Sequence, residues 1–546
     1  MENLVQQTST LSNELKKLLA SLPKASSCLE WKRFLRLVKE SKCSTTDKIK
    51  YIRLFITHFP FCAQAWIELS QISSDGKEDV LEEGLKVAPH MLELWEARLG
   101  LALKSFEEKQ CQFSDLLKLY ERALDALALE WYADGVVTKF INVAINQPFN
   151  EALTAFELCS HCIHRKVKET ANAFKLFIMK GTKENQEYIV SRFLPNSSSA
   201  ITSNQTILTQ TALVLAEGLM RPVCEMAELL EPFESELEKP KFLGVPPSPE
   251  LLNAWLKYAS WYVSQSKSRG ETREKVIVMG FERALPTCCL STTFWLGYAD
   301  VYSKTWPNDK TKVLKIFERA GTCCSSSLIM TLARMKQHEI VKGPKETLDL
   351  ISRFIEQNSQ NTSILMCHKA RLFLLTGDLT SAANELRNVA TLPDKTGSPL
   401  SCDTLTLLSH VLLQLSRTQN SPLSLSEARE RIETGFRALW SAKPSNDVAD
   451  AWLDVCELLD NYETLDGKHT SSTEVALQTL CKYFEDEKDN SGLEKVILKH
   501  FVHNPNVQVL LSMKNQLSDK MLTISESGDS YYNPPYSKRS PTYNGI

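Results

Sequence analysis

Cys159-Ser160-His161-Cys162-Ile163-His164 is the stretch of this 546-residue chain whose residue types and spacing come nearest to chemistry. A Cys-x-x-Cys pair flanked by histidines could supply ligands to a tetrahedral zinc ion, or a thiolate to a thiol-dependent enzyme. Zinc needs four ligands, and no second pair at zinc spacing follows. On an amphipathic helix, residues 159 and 162 share a face with Phe156, where cysteine behaves as a small apolar packing residue. The adjacent pairs Cys288-Cys289 and Cys323-Cys324 point to different helix faces and read as packing residues as well. The chain has no phosphate-binding glycine loop, metalloprotease helix or nucleophile elbow, and nothing in the sequence gathers its Ser, His and Asp residues into a triad. These patterns predict a protein that is not an enzyme and holds no metal or cofactor.

The helices that would carry such residues are written as a repeat. From Leu251 to Ala320 one unit occurs twice: Trp255 and Tyr258, then Phe281-Glu282-Arg283-Ala284, and again Trp295 and Tyr298, then Phe317-Glu318-Arg319-Ala320. Aromatics three apart share a helix face, and the distance to the next Phe allows a turn and an antiparallel partner. Earlier copies start at Trp31, Trp66 and Trp95, the last with Tyr120-Glu121-Arg122-Ala123 in its second helix. Trp66, Trp95 and Trp295 each follow the start of the preceding second-helix core, at Ile52, Leu81 and Phe281, by 14 residues. That constancy predicts a turn of fixed length between units and a variable one inside them. Such hairpins bury their apolar faces only by stacking, so the fold class is an all-α solenoid in which these aromatics form the core. The Glu-Arg pairs 121–122, 282–283 and 318–319 are expected to join units rather than to catalyse.

Further along, Glu130-Trp131-Tyr132 is expected to open a helix paired with Phe156–Val167, and Ile207–Leu237 to form another. The breaker-rich loop Pro195–Thr206 reads as a seam between two arrays, and Lys239–Pro247 as an extended segment. The expected organisation is a repeat array over 1–165, a connector over 166–250, a second array over 251–515 and a disordered tail over 516–546. Within the second array, 363–390 is a hairpin turning at Gly377-Asp378, 426–440 pairs with 449–462, and 474–484 with 493–500 closes the stack. Apolar runs such as Ile364-Leu365-Met366, Leu372–Leu375 and Leu405–Leu408 read as faces needing a cap or a partner. In the tail, Lys538-Arg539-Ser540-Pro541 reads as solvated sequence or as a phosphorylation or import signal, and the tyrosines beside Pro534-Pro535 as a short docking motif.

Formal charge is −3, so no global basic excess drives binding to a phosphate backbone, and RNA contact is expected to be weak or indirect. Fifteen cysteines without a disulfide framework fit reduced thiols inside a cell. No apolar run approaches the roughly 20 residues of a membrane helix, and no signal peptide opens the chain.

With its Trp-x-x-Tyr first helices and Phe/Tyr-Glu-Arg-Ala second helices, the chain resembles the half-a-TPR (HAT) repeat proteins of RNA-processing assemblies. Phe59-Pro60-Phe61-Cys62 before Trp66, Glu82-Glu83-Gly84-Leu85 before Pro89 and Trp95, and Phe233-Glu234 leading through Lys239-Pro240 to Asn253-Ala254-Trp255 resemble the pre-mRNA-processing factor 39 family. The resemblance covers roughly 30–135 and 230–390. It departs at Ser73, Ala102, Tyr262 and Tyr302, where the repeat often carries an acidic residue, and it fades over 136–230. It implies a nuclear scaffold of the U1 small nuclear ribonucleoprotein (snRNP) acting at the 5′ splice site, with U1 proteins as partners. It also implies a homodimer, or a heterodimer with a paralogous HAT protein, through the carboxy-terminal array. A HAT subunit of a 3′-end cleavage or ribosomal-RNA processing complex is the alternative.

Overall fold

A computed structural model describes residues 28–463 apart from 41–43, 74–75, 196–203, 269–273, 358–361, 392–399 and 419–420, together with Ala476, Thr479, Leu480 and Tyr483. Every regular element among the described residues is a helix, and none of these is long and apolar enough to cross a membrane. The chain forms two compact units, 1–337 and 338–546. The expected tail and the helix over 493–500 lie outside the described residues.

The first unit begins with three hairpins: α1 (Cys28–Glu40) with α2 (Thr45–His58), α3 (Ala63–Ile72) with α4 (Lys77–Val87), and α5 (Leu92–Glu107) with α6 (Phe113–Ala126). Local chemistry sets their ends. The Ser44 hydroxyl accepts from the Asp47 N–H at 3.1 Å to start α2, and Pro60 and Pro89 lie just beyond α2 and α4, where a helix cannot continue. Next come α7 (Asp134–Ala144), α8 (Phe149–Cys159), α9 (Val167–Lys180), α10 (Lys183–Phe193) and the long α11 (Gln205–Glu236). After an extended segment, α12 (Pro249–Ser268) pairs with α13 (Glu274–Cys288) and α14 (Thr292–Thr305) with α15 (Lys310–Cys323), before α16 (Leu328–Lys342).

Three sequence-based expectations are corrected here. Glu130-Trp131-Tyr132 does not open a helix: it lies in the turn before α7, whose partner α8 ends at Cys159, so Phe156–Val167 is not one helix. The expected boundaries at 165 and 250 are not breaks in packing. Phe174, Ile178, Leu208, Ala212 and Met220 belong to the same buried core as the repeats on either side. Gln186, on α10, accepts from both Gln205 and Thr209 at 2.8 Å across the presumed seam. A run of polar breakers marks a loop, but only the apolar faces of the flanking helices decide whether a core ends there.

The two repeat groups of this unit also lie side by side. Phe61 meets Trp295 with ring centroids 6.1 Å apart, Arg319 donates to the Val87 carbonyl at 3.4 Å, and Lys275 pairs with Asp125. The proline-rich segment is extended, as its composition predicts. The Lys241 N–H donates to Thr287 Oγ1 at 3.2 Å, Thr287 donates back to the Lys241 carbonyl at 3.3 Å, and the Lys32 ammonium donates to the Leu243 carbonyl at 3.4 Å.

The second unit contains α17 (Pro344–Gln357), α18 (Thr362–Thr376), α19 (Leu379–Thr391), α20 (Cys402–Arg417), α21 (Leu425–Ala442) and α22 (Asn446–Glu463). Gly377, with φ 82°, makes the turn between α18 and α19 in a conformation that favours glycine. Phe436 stacks on Trp452 with centroids 6.2 Å apart. The apolar runs expected to need an outside cover are largely the core of this unit. Leu365, Leu372, Leu405 and Leu408 are buried, the last two in the core of α18 to α22, and of the residues in those runs Leu375 is the exposed one, at 55%.

Candidate functional site

All ten aromatics expected in the repeat core are buried: Trp31, Trp66, Trp95, Tyr120, Trp255, Tyr258, Phe281, Trp295, Tyr298 and Phe317. The fixed spacing between units has a visible cause. The indole Nε1 of Trp66, Trp95 and Trp295 donates to the carbonyl six residues earlier, at Pro60, Pro89 and Cys289, over 2.9, 2.7 and 2.8 Å. The ring thereby clasps the turn that enters its own helix, and a turn of another length would leave a buried N–H without a partner. Gly84 stands where three other units carry Ala123, Ala284 and Ala320, because an added Cβ there would lie 3.0 Å from the Trp66 ring.

Three polar positions link successive units in a repeated arrangement. Glu82 on α4 accepts from Arg98 on α5 at 3.1 Å and pairs with Arg122 on α6. Glu282 on α13 accepts from Tyr298 on α14 at 3.0 Å and from Arg319 on α15 at 2.6 and 2.8 Å. In both sets the residue three after the Trp reaches back 16 positions to the glutamate. In both, the arginine lies over the Trp ring, at 5.0 Å for Arg122 on Trp95 and 5.7 Å for Arg319 on Trp295. Burial alone would raise the Glu282 carboxyl, but Arg319, with His90 and Tyr298, outweighs it and holds the group below the usual carboxylate range. Glu121 and Glu318 occupy the same register as Glu82 and Glu282 yet are exposed, and Asp134 and Thr331 stand where the next unit would carry its Trp.

Arg283 does something the repeat pattern alone does not indicate. Only 3% exposed, its guanidinium donates to Glu130 at 2.8 Å, to Glu234 at 2.9 Å and to the Tyr258 hydroxyl at 2.5 Å. Burial alone would lower this arginine, and the carboxylates with Tyr258 reverse the effect, so it stays charged. Glu130 lies before α7, Glu234 near the end of α11 and Tyr258 on α12, so a single cation ties together chain segments from all parts of the unit. The departures at Tyr262 and Tyr302 are also occupied. The Tyr262 hydroxyl lies 3.2 Å from that of Tyr258, and Tyr302 donates to Glu274 at 2.8 Å and to Asp309 at 3.2 Å. Sequence reasoning misses Glu82, Glu130 and Glu234 as hubs. Only Glu82 had a local signal, its alignment with Glu282.

The cysteines are arranged for packing. Cys159 ends α8 and Cys162 lies in the following turn, not on the same helix, with its thiol donating to the Leu127 carbonyl at 3.3 Å. Burial raises both thiols, Cys162 to about 12, which keeps them protonated and poor as ligands or nucleophiles. His164 is buried with Nε2 3.3 Å from Thr170 Oγ1, whereas His161 is exposed. Cys288, Cys289, Cys323 and Cys324 are all buried, and no group of three or more potential metal ligands occurs among the described residues.

Comparison with known proteins names this architecture. The PRP39 N-terminal HAT repeat matches residues 17–178 and the PRP39 C-terminal HAT repeat matches residues 228–372. The chain belongs to the pre-mRNA-processing factor 39 family. Its fold is thus a HAT-repeat α-solenoid, and the family match runs on through α7, α8 and most of α9, where the sequence resemblance had faded. Relatives include pre-mRNA-processing factor 39 of Homo sapiens, 20% identical over 49% of this chain and 44% of its own length, and that of Schizosaccharomyces pombe, 21% identical over 50% and 47%. A third, pre-mRNA-processing factor 39-2 of Arabidopsis thaliana, is 20% identical over 50% of this chain and 29% of its own. The chain therefore aligns with less than half the length of each of these relatives. Among solved structures, yeast Tom70 aligns over 93% of this chain and 96% of its own at 13% identity and a TM-score of 0.28. The APC/C hetero-tetramer Cut9-Hcn1 aligns over 91% and 98% at 10% identity and 0.25. Scores that low are too weak for either superposition to bear on this fold.

Proposed function

We propose that this chain is a non-enzymatic scaffold of pre-mRNA splicing that associates with the U1 snRNP and supports recognition of the 5′ splice site. The observation that carries the reading is the family match to both repeat groups, 17–178 and 228–372. The charged side chains within the repeats support it, because their strongest interactions are spent holding units together, as a rigid binding platform requires. The scaffold works in the nucleus and contacts U1 proteins. RNA contact is weak or indirect, in keeping with a net charge of −3.

The carboxy-terminal repeats pair with a second copy or with a paralogous HAT protein. Exposed Ile340 and Leu375, at 47% and 55%, offer apolar contacts for that interface. Immunoprecipitation from nuclear extract followed by RNA sequencing tests the assignment: enrichment of U1 RNA is expected, and its absence refutes it. Light scattering on the full chain at micromolar concentration tests pairing. The expected mass is twice 61.8 kDa, and a monomer mass with no HAT partner recovered from cells overturns it.

A further inference from the structure

We propose that the groove between α1, the start of α3 and the extended segment after α11 is a docking site for an acidic peptide carrying a bulky apolar anchor. The groove encloses about 450 Å³, within the roughly 300–1,000 Å³ of sites that enclose small ligands. Its floor is apolar, built from Leu35, Phe55, Phe61, Met91, Phe242 and Pro286. Its polar rim is mostly cationic: Lys32, Arg36, Lys39 and Lys241 face two carboxylates, Glu68 and Glu93.

The surrounding charge has the same sign. Helices α1 and α2 carry Lys32, Arg33, Arg36, Lys39, Lys48, Lys50 and Arg53, the last paired with Glu83 at 3.0 Å, against Glu30, Glu40 and Asp47, in a chain whose total charge is −3. A local basic patch of this kind is a positive field without a global excess, which steers an acidic segment to one place. Lys39 is bound to Glu68 at 2.6 Å, and Lys241 to Glu238 at 2.8 Å. Arg36 is exposed on the rim with no carboxylate partner among the described residues, so it can meet an incoming one.

The far wall is pinned in place. The Lys32 ammonium lies 5.1 Å from the Phe242 ring centre and donates to the Leu243 carbonyl, and Phe59 meets Phe242 at 6.1 Å. Gly244 permits this closeness: its φ is +78°, and an added Cβ would come within 2.6 Å of the Lys32 Nζ. The floor favours a peptide over RNA. Phe55 and Phe61 are 1% and 2% exposed, so neither presents an open ring face on which a base could stack, and the half-buried Ile67 and Phe242 are the apolar side chains that an anchor would meet.

The inference does not depend on the splicing reading. Its test uses the full chain and a fluorescein-labelled peptide in which phenylalanine and leucine sit between runs of aspartate, read by fluorescence anisotropy. Binding is expected to weaken with added salt and to fall by at least about tenfold in Arg36→Glu/Lys241→Glu, two exposed positions whose reversal leaves the core intact. It should fall similarly when the probe's own phenylalanine and leucine become serine, a change that cannot unfold the protein. No binding, or binding indifferent to both changes, overturns the proposal. So does displacement of the probe by oligouridine, which would assign the patch to phosphate, by a peptide of residues 1–27, or by the chain's own self-association.

Discussion

Replacing Arg283 with alanine strands two carboxylates in the middle of the first unit. Glu130 and Glu234 are 4% and 3% exposed, and both take their countercharge from this guanidinium, which also donates to Tyr258 and lies 5.6 Å from the Trp255 ring centre. Removing one partner of a buried ion pair typically costs about 3–5 kcal/mol, because the remaining charge is left in a poor solvent. That is a large share of a domain stability of about 5–15 kcal/mol. Urea unfolding at pH 7 followed by tryptophan fluorescence is the assay. Of the ten tryptophans only Trp440 and Trp452 lie beyond residue 337, so the signal reports mainly the first unit.

The control is Arg283→Met with Glu130→Gln and Glu234→Gln, which removes all three charges and keeps the volume. It should recover much of the loss. Acidification should narrow the deficit of the alanine variant, since protonating the stranded carboxylates removes their charge. A loss under about 1 kcal/mol, or a neutral triple variant no better than the alanine one, refutes the idea that charge balance holds this junction.

Three further outcomes follow from the same geometry. Trp295→Ala should cost about 3–5 kcal/mol by urea titration, from the emptied core and the lost indole bond to the Cys289 carbonyl. Arg319→Ala should cost clearly more than Arg122→Ala, which stays under about 1 kcal/mol, because Glu282 is 6% exposed in the first pair while Arg122 is 53% exposed in the second. Burial lowers His164 to about 4, below the roughly 6.5 of an unfolded chain. The unfolded state therefore binds the proton first as pH falls, and the first unit should lose about 2 kcal/mol between pH 7.5 and 5. His164→Gln, compared at the same two pH values, should shrink that loss.

The repeat was legible because each stacked unit places the same aromatic residue in the same register. Trp66, Trp95 and Trp295 make the same indole bond to the turn behind them, and that physical requirement wrote the 14-residue spacing into the sequence. The Glu-Arg pairs were legible as links between units, though not which glutamate each arginine would choose. Arg283 selects Glu130 and Glu234, 153 and 49 residues away, and no local pattern encodes a contact made by the chain turning back on itself. Helix α18 buries leucine, alanine and cysteine, and α20 leucine and threonine, without the Trp-Tyr marks, so their apolar runs could be taken for an uncovered end rather than a core. The 195–206 loop misled in the opposite sense: its composition shows where the chain turns and says nothing of the faces packed across it.

Depletion of the protein from cells followed by transcriptome sequencing tests the central claim most directly, since it reads 5′ splice-site choice itself. The account predicts altered use of 5′ splice sites, with messenger 3′ ends and ribosomal-RNA precursors unchanged, restored by the wild-type chain. Shifted 3′ ends or accumulated ribosomal precursors with splicing intact would contradict it.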